Sequence, residues 1–249
     1  MKENISLHKG FAIIECLSRH GEMSIQRLSK ELGMNKSTVC RFLSTLTTLG
    51  YVQQDPESKH YSLSYKFFQI GREKDRNHTL ASQVRPFMEQ ILQETGESVH
   101  LAVLQGTKVL YIDQVESMNT IRVNVEVGKT FPAYSVGVGK AMLAFMPEED
   151  VAGLFSKERF VSFTDKTISS VDALLDELKE VRRRGYAFDN EECMIGLACI
   201  AVPLFSSDIP VAAMSVTFPR FRYVQGGEDE RKLIEQIVSC GRKLKDLLS

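Results

Sequence analysis

The sequence predicts an α+β fold in two domains with a charged connector between them, and three observations point there. Residues 1–64 read as three closely spaced amphipathic helices followed by a short hairpin. From Ala81 onward, helical patterns alternate with period-two apolar patterns. Between the two lies a stretch dense in charge, placing the domains at 1–64 and 81–249 and the connector at 65–80.

Composition narrows the class. The 249 residues are 43% hydrophobic and 25% charged, the balance of an ordinary globular protein. No apolar run is long enough to span a bilayer, and "MKENISLHKG" lacks the apolar centre of a signal peptide, so a cytoplasmic protein with no membrane partner is expected. Five cysteines, an odd number with no CxxC pair, suit reduced thiols better than a disulfide framework or a metal site. The net charge of −1 conceals an asymmetry, because residues 1–80 carry 12 basic and 8 acidic side chains while the remainder has an acidic excess. A basic module joined to an acidic one fits a nucleic-acid partner for the first and another task for the second.

In "LHKGFAIIECLSRHG" the apolar positions Phe11, Ile14 and Leu17, with Ala12 and Ile13, recur at helical spacing, and Gly21 closes the segment. "SIQRLSKELG" opens on Ser24 as an N-cap, turns Ile25, Leu28 and Leu32 inward and stops at Gly33. Asn35 caps the third helix, whose inner stripe is Val39, Phe42, Leu43, Leu46 and Leu49. Two short helices joined by a tight glycine turn make a helix-turn-helix. The outer face of the third helix holds Lys36, Ser37, Thr38, Cys40, Arg41, Ser44, Thr45 and Thr48, and no acidic residue occurs from Gly33 through Gln54. A helix lying in the major groove needs such a surface, because phosphates repel carboxylates while short polar groups and cations meet base edges and backbone. An ordinary solvated face would mix both charge signs. The hairpin "YVQQDPESKHYSL" turns at Asp55-Pro56, a proline suited to the second position of a type I turn, and carries Lys59 and His60 near its tip. Helix-turn-helix plus hairpin is a winged helix reading double-stranded DNA.

"NKSTVCRFLSTLTTLGYVQQDPESKHYSLSYKFFQIG" resembles the N-terminal domain of the IclR family of bacterial transcriptional regulators. The resemblance continues through "TGESVHLAVLQGTKVLYIDQV", "VGKTFPAYSVGVGKAMLAFMPEE", "GYAFDNEECMIGLACIAVPLF" and "VAAMSVTFP", and so spans nearly the whole chain. Within the family it is similar to regulators of sugar-acid breakdown, such as those answering to 2-keto-3-deoxygluconate. The resemblance implies a linker helix, a GAF-like effector domain, and DNA-binding domains paired about a two-fold axis. A homodimer or homotetramer of that kind would favour a pseudo-palindromic operator with half-sites about one helical turn apart. In the connector, Phe67, Phe68 and Ile70 are placed to pack on the winged domain, and "REKDRNH" suits an exposed helix.

In the second domain "ASQVRPFMEQILQETG" is helical, with Pro86 as a kink or fresh start. "SVHLAVLQGTKVLYIDQV" reads as a hairpin about Gln105-Gly106. "IRVNVEV" alternates throughout and predicts a strand with Ile121, Val123, Val125 and Val127 on one face. Helices follow over Gly139–Met146, Pro147–Phe155 and Val171–Arg184, then the strands "LACIAVPLF" and "VAAMSVTF" and an amphipathic terminal helix. Each late strand has a bulky face (Ile200, Val202, Leu204; Met214, Val216, Phe218) and a small or hydroxylic one (Cys199, Ala201; Ala213, Ser215, Thr217). The second face leaves room either for a ligand or for a closely packed helix.

"SVGVGKAML" adds Gly137 and Gly139, which let backbone approach a ligand, and a helix start with free N–H groups for a carboxylate; the spacing is not that of a phosphate loop. The resemblance implies a small-acid pocket lined by Gly137, Val138, Asp189, Cys199, Ser215 and Thr217, with Ile121 and Val123 as an apolar wall. Val136 departs from the small or hydroxylated residue expected in that loop. Asp189 would repel an anionic ligand unless it met a hydroxyl or was itself protonated, which favours a hydroxylated keto acid over a dicarboxylate. Asn190, Glu191 and Glu192 beside it read as a solvated acidic turn. No metal or cofactor is expected. A thiol enzyme is the alternative class, but Cys199 has only His100 as a conceivable base. Redox control through Cys193 and Cys199 is a third reading.

Overall fold

The computed structural model describes residues 4–67, 69–70 and 80–248. The connector expected at 65–80 therefore lies largely outside the described residues. Two compact units divide the chain, Met1–Thr79 and Leu80–Ser249.

In the first unit, α1 (Ile5–His20), α2 (Ile25–Glu31) and α3 (Lys36–Thr48) precede the antiparallel pair β1 (Val52–Gln54) and β2 (Tyr61–Leu63). Local chemistry sets each boundary. Asn4, Ser24 and Asn35 accept backbone N–H groups of the first turns of α1, α2 and α3, and Gly21 and Gly33 take positive φ after α1 and α2. Ile13, Cys16, Leu17, Met23, Leu28, Val39, Leu43, Leu46 and Val52 form one core. Phe11 and Leu49, expected inward, are both more than half exposed. Lys66, Phe67, Gln69 and Ile70 are helical, and the Phe67 ring meets Tyr51 at 5.2 Å.

The second unit is a six-stranded antiparallel sheet. It comprises α4 (Leu80–Thr95), β3 (Ser98–Gln105), β4 (Lys108–Val115), β5 (Thr130–Pro132), α5 (Gly137–Leu143), α6 (Glu148–Phe155), α7 (Val171–Arg184), β6 (Ala187–Asn190), β7 (Leu197–Ser206), β8 (Ile209–Pro219) and α8 (Glu228–Leu248). The strand order is β5-β4-β3-β8-β7-β6. The bulky face of β7 and β8 packs against α4 and α8 around Met88, Ile91, Ile200, Met214, Val216 and Ile237. The small face packs in the second core with α5, α6 and α7, around Ala201, Ala213, Ala141, Phe155 and Leu178. Alternation along each strand thus supplies two cores from one sheet. α4 runs unbroken through Pro86.

One predicted strand is absent. Residues 121–126 form neither helix nor strand and join no ladder, and Ile121 and Val127 are exposed. β5 already pairs with β4, and the Tyr111 N–H and carbonyl bond Lys129 and Gly128. Alternation reports an extended chain covering an apolar surface on one side; it does not require a hydrogen-bonded neighbour.

Candidate functional sites: a cationic helix face and a buried acid pocket

On the first unit the carboxylate-free surface of α3 is open to solvent. Lys36, Ser37, Cys40, Arg41, Thr45 and Lys59 are exposed, and Thr38 and His60 are partly so. Lys36 and Arg41 form none of the ion pairs found among the described residues. Ser37 donates to the Asn35 cap at 2.9 Å, Thr45 donates to the Arg41 carbonyl at 3.1 Å, and the Arg41 guanidinium lies 5.8 Å from the Phe42 ring. At the tip of the hairpin, Asp55 accepts from the Ser58 N–H at 2.6 Å and from its hydroxyl at 2.8 Å, which holds its carboxyl below the usual range. That clip turns Lys59 outward in a left-handed conformation, φ 59°.

On the second unit a cavity of about 890 Å³ opens between the small face of the sheet, the 121–126 segment and the loop after β6. Its floor follows from strand register: Asp189 on β6 lies opposite Cys199 on β7, Cys199 opposite Thr217 on β8, and Thr217 opposite Ser98 on β3. Asp189, Cys199 and Thr217 line the cavity with Tyr111, and Ile121 and Val123 wall it.

Other expected residues lie elsewhere. Gly137, Val138, Gly139 and Ser215 do not line this cavity. A Cβ on Gly137 would sit 2.7 Å from the Cys199 sulfur, and one on Gly139 would sit 2.1 Å from the Ala133 carbonyl oxygen. Gly137 lets α5 close against β7, where the packed-helix alternative holds, and Gly139 lets it lie against the Ala133–Ser135 turn that precedes it. The expected carboxylate seat at the start of α5 is likewise changed. The Gly137 backbone faces the Cys199 sulfur, and the Gly139 and Lys140 N–H groups donate to the Val136 carbonyl. Ser215 is buried opposite His100. Val136 itself lines the cavity, supplying an apolar wall where a small or hydroxylated residue was expected.

Electrostatics distinguish the buried groups. Asp189 is 1% exposed, and burial, reinforced by the Glu192 carboxylate, raises its pKa to about 7, while Lys140 and the Glu192 and Cys193 backbone N–H groups act in the opposite direction. Burial also pushes the Tyr111 hydroxyl and the Cys199 thiol well above their usual values and the Cys193 thiol up to about 11. Both cysteines are therefore neutral thiols, a poor state for nucleophilic or redox chemistry. Burial lowers His100 to about 4, and its Nδ1 lies 3.2 Å from the Thr217 hydroxyl. That contact gives His100 a partner other than Cys199, so the pair expected of a thiol enzyme is not assembled.

The sequence reading missed Lys140. Its ammonium is fully buried, donating to the Phe188 carbonyl at 2.7 Å and to Glu192 at 2.6 and 2.8 Å, with Glu177 at 3.3 Å. Burial outweighs the ammonium and raises the Glu192 pKa. The supposed solvated turn is thus an anchored loop: Glu191 accepts from the Gly196 N–H and pairs with Lys166, while Asp189 accepts from the Glu192 N–H at 2.8 Å. A lysine alone in "SVGVGKAMLAFM", matched by the acids of "DNEE", was the available signal.

Comparison with known proteins agrees with this arrangement. Residues 6–56 match the family model for the IclR helix-turn-helix domain, and residues 75–246 match that for the bacterial transcriptional regulator IclR C-terminal domain. The chain belongs to the IclR family. It is 36% identical over 240 residues to the HTH-type transcriptional regulator KdgR of Escherichia coli, covering 96% of this chain and 90% of that protein. It is 32% identical over 218 residues to the transcriptional repressor IclR of the same organism, covering 86% and 80%. The crystal structure of the Thermotoga maritima IclR superposes with a TM-score of 0.80 at 28% identity, covering 98% of each chain. As an IclR-family member the chain is a DNA-binding transcriptional regulator and not an enzyme.

Proposed function

We propose that the protein represses a catabolic operon and is released from its operator by a small carboxylate-bearing metabolite, a keto or sugar acid. The observation that carries the effector half is the cavity floor, where Asp189, Cys199, Thr217 and Tyr111 converge beneath the apolar wall of Ile121 and Val123. Such a site, apolar with a few convergent polar groups, suits a compact polyfunctional acid. Likeness to the KdgR regulators supports the sugar-acid subgroup. The DNA half rests on the exposed α3 face, with Lys36, Ser37, Thr38, Cys40, Arg41 and Thr45 toward the major groove and Lys59 and His60 reaching the backbone or minor groove. Acting in the cytoplasm as a homodimer or homotetramer, the protein would engage a pseudo-palindromic operator. The effector must favour one arrangement of the paired DNA-binding domains, since equal affinity for both shifts nothing.

Footprinting on the DNA flanking its own gene tests this reading. Two protected half-sites about one helical turn apart are expected, with protection lost on adding 2-keto-3-deoxygluconate or a related sugar acid. Protection that persists with every acid in the panel would remove the effector half, and no protection at all would remove the whole.

A further inference from the structure

We propose that the cavity takes up its acid ligand together with a proton, which the Asp189 carboxyl holds against the ligand, so that a carboxylate is bound at the cavity floor by neutral donors. The proposal rests on the effector-pocket reading above and adds its proton linkage.

The placement of charge around the cavity carries the argument. Its two cationic lining residues, Arg122 and Lys129, are at the exposed rim, and each is already paired, Arg122 with Glu116 at 3.8 Å and Lys129 with Glu126 at 3.4 Å. The groups facing Asp189 are Glu192 and Cys193 from its own loop, Cys199 from β7, Tyr111 from β4 and Lys140 from α5. Of these Lys140 alone is cationic, and its ammonium is committed to Glu192, the Phe188 carbonyl and Glu177 on α7. An ionised ligand at the floor would meet an ionised Asp189 with no counter-charge between them. A proton shared by the two acids removes that repulsion and turns the carboxyl into a donor. A carboxyl already poised near neutrality needs little free energy to take it up.

A second observation supplies another neutral donor. His100 Nε2 is buried without a hydrogen-bond partner among the described residues, while Nδ1 contacts the Thr217 hydroxyl. An imidazole proton on Nε2 would be stranded, so it belongs on Nδ1, where it donates to Thr217 Oγ1. The Thr217 hydroxyl proton is then free to point into the cavity, which Thr217 lines.

The test is calorimetry on the full-length protein with 2-keto-3-deoxygluconate and pyruvate, each in two buffers of different ionisation enthalpy, together with the ¹³C carboxyl titration of Asp189 in the free protein. With a midpoint near 7, binding at pH 8 is expected to be about tenfold weaker than at pH 6, with uptake rising to about 0.9 proton at pH 8. Asp189→Asn should bind with no proton uptake and a flat profile. Acid binding by the wild type with no proton uptake overturns the proposal alone, leaving the effector reading intact. So does a free-protein titration in the ordinary carboxylate range, which needs no variant to fold. Failure of both acids to bind even at pH 6 overturns the acid-effector reading and this proposal with it.

Discussion

A buried carboxyl makes stability depend on pH, and Asp189 gives that dependence a definite sign. Its pKa is about 7 in the folded protein against about 3.9 unfolded, so the folded state holds the proton more tightly. The stability tied to this group is fully present below about pH 4 and is lost as pH rises through about 7. Asp189→Asn removes the loss, and its stability advantage over wild type should widen by about 2 kcal/mol between pH 5.5 and pH 8, read from urea melts. An advantage that stayed constant with pH would contradict the assignment. On the other unit, Arg41→Ala should leave the thermal midpoint within error, since the side chain is exposed, while weakening operator binding by about 1–3 kcal/mol. Residue identity was easier to read from sequence than residue environment. Asp189 stood out as a candidate, but "DNEE" gave no sign of being buried, because the cation that holds Glu192 in place, Lys140, lies 52 positions earlier on α5.

At the scale of elements, α5 shows how one signal can have two meanings. Close backbone approach was legible in "GVG"; what it approached was not. The two clearances make separable predictions. Gly137→Ala pushes a methyl group against the Cys199 sulfur and should cost about 1–3 kcal/mol, largely restored by the companion change Cys199→Ala in a double-mutant cycle. Gly139→Ala meets the Ala133 backbone carbonyl, which no side-chain change can relieve, so its loss should be larger and unrescued. The loop after β6 depends on α5 in the same way. Lys140→Met leaves Glu192 buried and unpaired and should cost about 3–5 kcal/mol, recovered in part by Glu192→Leu. Caps and strand faces were readable because they are local or periodic. The 121–126 segment was misread because periodicity cannot say whether a second strand lies alongside.

For the whole molecule, the charge asymmetry of the sequence becomes a division of labour: an exposed cationic helix face on one compact unit and a cavity floored by Asp189 in the other. If two copies each engage phosphates through Lys36, Arg41 and Lys59, the logarithm of the operator association constant should fall against log salt with a slope of about −5. Removing Lys59 alone from both copies should reduce that slope by about 2, and filter binding across a salt series measures both. A slope near zero would mean that the exposed cations do not touch the duplex.

The unpaired wall of the cavity also has an engineering consequence. Because residues 121–126 belong to no ladder, exchanging Ile121 or Val123 for larger, smaller or polar side chains disturbs neither strand register nor either core. A sensor retuned to a new metabolite is best sought by diversifying that segment, while Asp189, Cys199 and Gly137, bound into the sheet and its overlying helix, are left alone.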